Sequence, residues 1–239
     1  MEKNITILTV FIMVLLISLP AIAQQEIRYQ DTETFSKKSF YFLLGYTQGP
    51  YFDDYVDWIN QYYRDNYSSN ETMEDFNGGF SFSAGFRNRF TRYFAFDFDF
   101  AFHSMRVKKT YYRSYDGARV GYQNLQMNVA IFTGSVPIIL EFYDNQPLVP
   151  FIAAGISIFS LRLDHTIQWS ERHIKTAIAG NFSIGCEVKL TQKLYADVRA
   201  DWTLGEVNMP VTQIIGQPDN FDLSLSTTQL QIGILYGFQ

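Results

Sequence analysis

Apolar and polar residues alternate one for one along most of this chain. The clearest stretch is Tyr93–His103, where Phe94, Phe96, Phe98, Phe100 and Phe102 occupy one set of positions and Ala95, Asp97, Asp99, Ala101 and His103 the other. An extended strand keeps two such sets on opposite faces, whereas a helix would spread the phenylalanines around its circumference. Phe80, Phe82, Ala84 and Phe86 alternate with Ser81, Ser83, Gly85 and Arg87. Phe182, Ile184, Cys186, Val188 and Leu190 alternate with Asn181, Ser183, Gly185, Glu187 and Lys189. Leu194, Ala196, Val198, Ala200 and Trp202 oppose Tyr195, Asp197, Arg199, Asp201 and Thr203. Leu230, Ile232, Ile234, Tyr236 and Phe238 oppose Gln229, Gln231, Gly233 and Gln239. Ser39–Gln48, Asn124–Phe142 and Leu148–Asp164 alternate less cleanly. The pattern predicts eight strands, many of them reaching the ~9–11 residues that cross a bilayer at a tilt.

The connections measure about 29, 3, 16, 5, 11, 2 and 21 residues (49–77, 90–92, 108–123, 143–147, 165–175, 191–192 and 206–226), long and short in strict alternation. An outer-membrane barrel sorts its connections this way, and an even strand number returns both ends of the chain to the periplasmic side. The expected fold is all-β: an eight-stranded antiparallel up-and-down transmembrane β-barrel over 39–239, with short periplasmic turns and long extracellular loops. Periodicity does not say which face is outside. A soluble exported barrel turns its apolar set inward, and a membrane barrel turns it to lipid. Opposite charges on the polar set favour the lipid arrangement, because they can pair across a narrow lumen. So do aromatic residues at the strand ends: Tyr93, Phe94, Phe142, Tyr143, Tyr195, Tyr236 and Phe238 toward the short turns, and Tyr46, Tyr122, Trp169 and Trp202 toward the long loops.

The N-terminus reads differently. Lys3 precedes an apolar run over Ile5–Leu19, Pro20 breaks it, and Ala21-Ile22-Ala23 supplies small residues for cleavage before Gln24. That is the layout of a secretory signal peptide over 1–23, followed by a polar linker over 24–38 and export to the bacterial outer membrane. Composition agrees with export. Cys186 is the single cysteine, which excludes a disulfide framework. A net charge of −5 excludes a basic nucleic-acid binder. The 22 Phe, 16 Tyr and 3 Trp exclude a disordered chain.

Three groups of residues are candidates for chemistry or binding. Arg87, Asp97, Asp99, Glu187, Asp197, Arg199 and Asp201 share the polar faces and predict a lumen network, read as a salt-bridged plug rather than a conducting path, since eight strands enclose room only for side chains. The first long connection, 49–77, combines acids with aromatics, and Asp53, Asp54, Tyr55, Trp58, Tyr62 and Tyr63 make it a candidate surface for a protein partner. The alternative is a loop folded over the barrel mouth, drawn there by Lys108, Lys109, Arg113 and Arg119 of the next connection, whose other reading is a basic loop that faces lipid A phosphates. The third group is His165 and His173 flanking Ser170-Glu171, which supply the residue types of a serine hydrolase. No cofactor or metal set is suggested.

Two stretches carry a family resemblance: Val136-Pro137-Ile138-Ile139-Leu140-Glu141 and Val149-Pro150-Phe151-Ile152-Ala153-Ala154-Gly155. With them the chain resembles the small outer-membrane barrels of the Bacteroidota, the PorT-like outer membrane protein beta-barrel group. Glu141 departs from the lysine common there. Leu230–Phe238 resembles the terminal strand that the outer-membrane assembly machinery recognises. The resemblance implies a barrel in contact with outer-membrane lipid, with a structural or accessory binding role, secretion-associated in some members, and carries no catalytic residues over. A non-enzymatic role is therefore expected. The alternatives are a lipid A-modifying hydrolase or acyltransferase and a soluble exported barrel.

Overall fold

A computed structural model of the protein describes residues 37–49, 53–74, 78–143, 146–166, 170–210 and 220–238. The segment expected as a signal peptide, 1–23, most of the expected linker and Trp169 lie outside them. Ten strands and one helix are described: β1 (Lys37–Gln48), α1 (Asp53–Tyr67), β2 (Gly79–Arg89), β3 (Ala95–Tyr112), β4 (Arg119–Ile139), β5 (Leu148–Thr166), β6 (Ser170–Lys189), β7 (Leu194–Leu204), β8 (Glu206–Pro210), β9 (Asn220–Ser224) and β10 (Thr227–Phe238). Eight strands close into a barrel in the order β1-β10-β7-β6-β5-β4-β3-β2, and β8 and β9 form a separate two-stranded sheet. Every neighbouring pair in the barrel is antiparallel.

The register defines the barrel's shape. One lateral row of paired residues runs Lys175–Leu161–Val129–His103–Ser81–Gly45–Gln231–Arg199–Gly185. It leaves β6 at residue 175 and returns to it at residue 185, a shear of 185 − 175 = 10 residues. With eight strands ~4.8 Å apart and ~3.3 Å per residue, that shear tilts the strands by about 40°.

The apolar set faces outward. Phe40, Phe42, Phe96, Phe98, Phe132, Ile152, Ile158, Ile178, Ile232 and Ile234 are all exposed on the wall, while Ser83, Arg87, Asp97, Glu187 and Asp197 are buried inside it. So continuous an apolar belt marks a surface that meets lipid. From Phe94 to Phe102 it rises about 20 Å along the barrel axis, close to the ~25 Å band of an outer-membrane barrel once the rings are added. Tyr195 is an exception among the aromatics expected at the boundary: it points inward and packs against Tyr41, Leu43 and Leu235.

Beyond the belt the polarity inverts. On β3 the outward residues change from phenylalanines to Ser104, Arg106 and Lys108, while the inward positions become Met105 and Tyr111, both buried. On β5 Ser160, Arg162 and Asp164 follow Ile158 outward, and Phe159, Leu161 and Leu163 are buried inside. Water replaces lipid outside the wall at this level, so the apolar face turns inward.

This inversion corrects the expectation of four long extracellular loops. The connections expected at 108–123 and 165–175 are largely strand. The β3–β4 ladder continues to the pair Tyr112↔Arg119, and the β5–β6 ladder to Thr166↔Ser170. Four strands thus rise as a paired sheet above the belt. The alternation there was hidden because apolar and polar residues had exchanged faces. Within the first connection, 53–67 is a helix, and the fourth contains the β8–β9 pair. The barrel begins at Lys37, inside the segment read as linker.

Candidate functional site

The barrel mouth is filled by α1. Tyr55, Val56, Ile59, Asn60 and Tyr63 recur at helical spacing and are its buried residues, giving one inward face. Asp53 and Asp54 in the first turn and Arg64 in the last complement the helix dipole. Ser68, at φ 51°, ends the helix in the left-handed conformation, and its N–H bonds the Arg64 carbonyl at 3.1 Å. The inward face packs on Met105, Tyr111, Leu125, Met127, Val129, Phe159 and Leu161, an apolar cluster within the upper lumen.

Two contacts give the seat its specificity. The Tyr63 ring stacks on Tyr111 with centroids 4.0 Å apart and planes 10° apart, and the Gln123 amide donates to the Tyr63 hydroxyl at 3.0 Å. Tyr63 also lies flat over Gly121, where any Cβ would overlap its ring. Asn60 then ties the returning chain down. Its amide donates to the Met73 carbonyl at 3.0 Å, and its Oδ1 accepts the Met73 N–H at 2.6 Å and the Tyr111 hydroxyl at 2.8 Å.

Of the residues read as a partner surface, Tyr55 and Tyr63 are therefore buried in the mouth. A side chain with 0% and 4% exposure is not available to a partner. Trp58 and Tyr62 are partly buried against the same cluster, and Trp58 stacks on Tyr62 at 5.6 Å. Asp54 is exposed, as are Asp57, Arg64 and Asp65, while Asp53 is half-buried. The attraction read between the first two connections has a counterpart. Lys109 pairs with Glu71 at 2.5 Å, the Ser114 N–H bonds the Ser68 carbonyl at 3.1 Å, and the Asn70 N–H bonds the Ser114 hydroxyl at 3.1 Å. Partial burial, and after it the Tyr67 hydroxyl, push the Tyr62 phenol up to about 12. Burial also raises the Tyr63 phenol, against the Gln123 hydrogen bond.

Nearer the short turns the lumen is polar and ion-paired. Arg87 grips Asp97 in a two-pronged contact, Nε to Oδ1 at 2.7 Å and Nη2 to Oδ2 at 2.6 Å, and its Nη1 reaches Glu187. Arg89 takes the other oxygen of Glu187 and bonds Glu141 at 2.8 Å. The result is a chain, Glu141–Arg89–Glu187–Arg87–Asp97. β2 and β6 stand four strands apart in either direction round the wall, so the Arg87–Glu187 contact crosses the full lumen. Arg199 pairs with Asp197, at 2.5 Å from Nη2.

The two central arginines are each held against an aromatic plate. Arg87 lies over the Phe151 ring at 4.5 Å, and Phe151 in turn covers Gly185. Arg199 lies over Tyr41 at 4.4 Å, and Tyr41 covers Gly85. Without a Cβ at either glycine, the rings lie against the wall and leave width for a guanidinium. Asp99 accepts from the Tyr41 hydroxyl at 3.4 Å, and Asp201 accepts from Ser183 at 2.5 Å. These two acids border a cavity of about 30 Å³, room for one or two waters.

Every residue of the expected lumen network is thus inside the barrel, but in two groups: Arg87, Asp97, Glu187, Asp197 and Arg199 are ion-paired, and Asp99 and Asp201 line the cavity. Arg89 and Glu141 were missed. Arg89 continues the inward alternation of Ser83, Gly85 and Arg87, a readable signal. Glu141 lies just beyond the end of β4, where alternation no longer assigns a side. In the third group, β5–β6 register pairs His165 with Glu171, Thr166 with Ser170 and Leu163 with His173. Neighbours along a strand alternate faces, so position 170 belongs to the face opposite 165 and 173.

No protein-family model matches the chain, and no curated protein matches its sequence. Solved structures do resemble it. The outer membrane protein OprG from Pseudomonas aeruginosa aligns with a TM-score of 0.50 at 10% identity, over 85% of this chain and 95% of that one. Neisserial surface protein A aligns at 0.46 and 13% identity, over 87% of this chain and all of that one. The outer membrane protease OmpT from Escherichia coli aligns at 0.42 and 7% identity, over 89% of this chain. At these identities the likeness is one of fold: this chain has the closed antiparallel barrel seen in outer-membrane proteins.

Proposed function

We propose that the protein is a non-enzymatic, non-conducting barrel of the bacterial outer membrane, exported by its signal peptide. Its role in this reading is structural or accessory: it holds a helix-capped mouth and a raised four-stranded sheet at the cell surface. The observation that supports it is closure of the lumen at two levels, by α1 above and by the Arg87–Glu187 crossing below. A channel needs one continuous aqueous path, and both ends of this one are filled. The exposed face of α1, with Asp54, Asp57 and Asp65, is the part left for a protein partner. Membership among PorT-like barrels, and with it a link to secretion, rests on the stretches around Pro137 and Pro150. Engagement of the assembly machinery by β10 rests on its amphipathic pattern.

The test combines fractionation with planar-bilayer recording. The full chain is expected in the detergent-extracted outer-membrane fraction, with a heat-modifiable shift on gels and no stable conductance. Release by osmotic shock would end the membrane assignment, and a large steady conductance would end the sealed-lumen one. Substituting Ser170, His165 and His173 by alanine is expected to leave lipid A composition unchanged; an altered acylation pattern would restore the enzyme reading.

A further inference from the structure

The outward face of the raised sheet carries a charge pattern that neither its folding nor the sealing of the lumen requires. Arg106 and Lys108 on β3, Arg162 on β5 and Arg172 on β6 all lie on it, and Asp164 is the one acid among its described side chains. Asn128, Gln126 and Asn124 of β4 fill the space between. Four cations therefore face one carboxylate. Asp164 is already shared, accepting from Arg162 at 2.8 Å and from Arg172 at 2.7 Å, and Arg106 donates to the neutral Asn124, at 2.9 Å.

Their height relative to the belt is fixed by the strands. Arg106, Asn128 and Arg162 each stand four residues beyond the last large apolar outward residue of their strands, Phe102, Phe132 and Ile158, whereas on β6 the exposed Ile174 stands beside Arg162 with Arg172 two residues beyond it, and Lys108 is two residues above Arg106. At ~3.3 Å per residue and ~40° of tilt, four residues rise about 10 Å along the membrane normal. Headgroup layers occupy roughly 5–7 Å beyond each side of the hydrocarbon core. An arginine that reaches back along the wall brings its guanidinium to that level while its stem covers apolar surface. The acids Asp54, Asp57 and Asp65 are on α1, whose buried face lies inside the mouth, and not on the strands of this strip.

The geometry points to a binding strip for the phosphates of a lipid headgroup in the outward leaflet, formed by Arg106, Lys108, Arg162 and Arg172. Guanidinium forks match phosphate oxygens in two-pronged contacts, and basic side chains at a membrane boundary are drawn to anionic headgroups. This rests on the outer-membrane reading above.

The full chain, folded in zwitterionic nanodiscs, is titrated with diphosphorylated lipid A and with the same glycolipid lacking both phosphates. Binding is read by native mass spectrometry at two salt concentrations. The phosphorylated form is expected to bind at least about tenfold more tightly, with the preference shrinking at higher salt. Arg106→Gln combined with Arg162→Gln should remove most of it, whereas Lys38→Gln with Lys193→Gln, at the opposite end of the barrel, should not. Heat-modifiability on gels establishes that each variant is folded. Equal binding of the two lipids by the folded protein, or an equal loss in the Lys38/Lys193 variant, overturns the strip. Neither result touches membrane residence, which fractionation decides separately.

Discussion

Arg87 is a fully buried arginine with charged partners on two sides and an aromatic ring beneath it. Its removal would leave Asp97 buried without the cation that holds it, and Glu187 with Arg89 but without its partner across the lumen. Breaking a buried pair in this way costs about 3–5 kcal/mol. Arg87→Gln is accordingly expected to lower unfolding stability by that amount, measured as the urea midpoint of Trp fluorescence in lipid vesicles. Arg87→Lys should recover little, because an ammonium has neither the planar fork that holds Asp97 nor the flat face that lies on Phe151. An unchanged midpoint in Arg87→Gln would mean that the lumen is wet enough to solvate the carboxylates, and one in Arg87→Lys that the charge alone suffices.

At the scale of elements, α1 is the least expected part of the molecule and the most conditional. Asn60 satisfies the Met73 backbone and the Tyr111 hydroxyl together. Asn60→Ala orphans those groups at a cost of about 1–3 kcal/mol. Limited proteolysis should then cut 53–74 at least about fivefold faster while the barrel strands stay protected. The phenols give the same element a pH limit. Tyr62 and Tyr63 hold their protons more tightly in place than in an unfolded chain, so their contribution is complete below about pH 10. It is lost as pH rises toward about 12, the value for Tyr62. Trp58 fluorescence should shift to the red over that window, and a flat profile would sink the argument.

The barrel strands were legible because lipid outside and side chains inside impose a strict two-residue period, plain in Phe94–Phe102. The helix was not. Its signal, Tyr55, Val56, Ile59, Asn60 and Tyr63, lay among so many acids and rings that composition spoke louder than spacing. The raised ends of β3–β6 were missed for a different reason. Alternation continues through Met105, Val107 and Tyr111, but the apolar residues sit on the other face, and the change of phase resembles the end of a strand. For the lumen the polar faces named the participants. They could not say that Glu187 meets Arg87 across the barrel, because that depends on the shear.

At the scale of the whole molecule, one wall passes through two solvents. Its lower part is apolar outside and charged inside, and its upper part is the reverse. Each part supplies its own filling, ion pairs below and α1 above. Substitutions in the two zones should therefore separate: changes at Arg87 or Glu187 affect the barrel's unfolding, and changes at Asn60 or Gly121 affect protection of the mouth.

The Arg87–Glu187 contact also constrains the order of events during assembly. The two residues are 100 positions apart in the chain. They lie on opposite sides of the wall, so an open sheet, however many strands it has added, holds them apart. They meet only when the sheet curls into its barrel, the step that β1–β10 pairing completes. Until then Arg87 can pair with Asp97 of the neighbouring β3, but Glu187 waits for its β2 partners and must stay hydrated, which favours a growing sheet that keeps its concave side wet. Ring closure and the expulsion of that water become one event. A late, long-range contact of this kind adds little to the speed of folding and much to the slowness of unfolding. The bridge across the lumen thus acts as a latch on the finished barrel, and its strength is measured in the lifetime of the closed state.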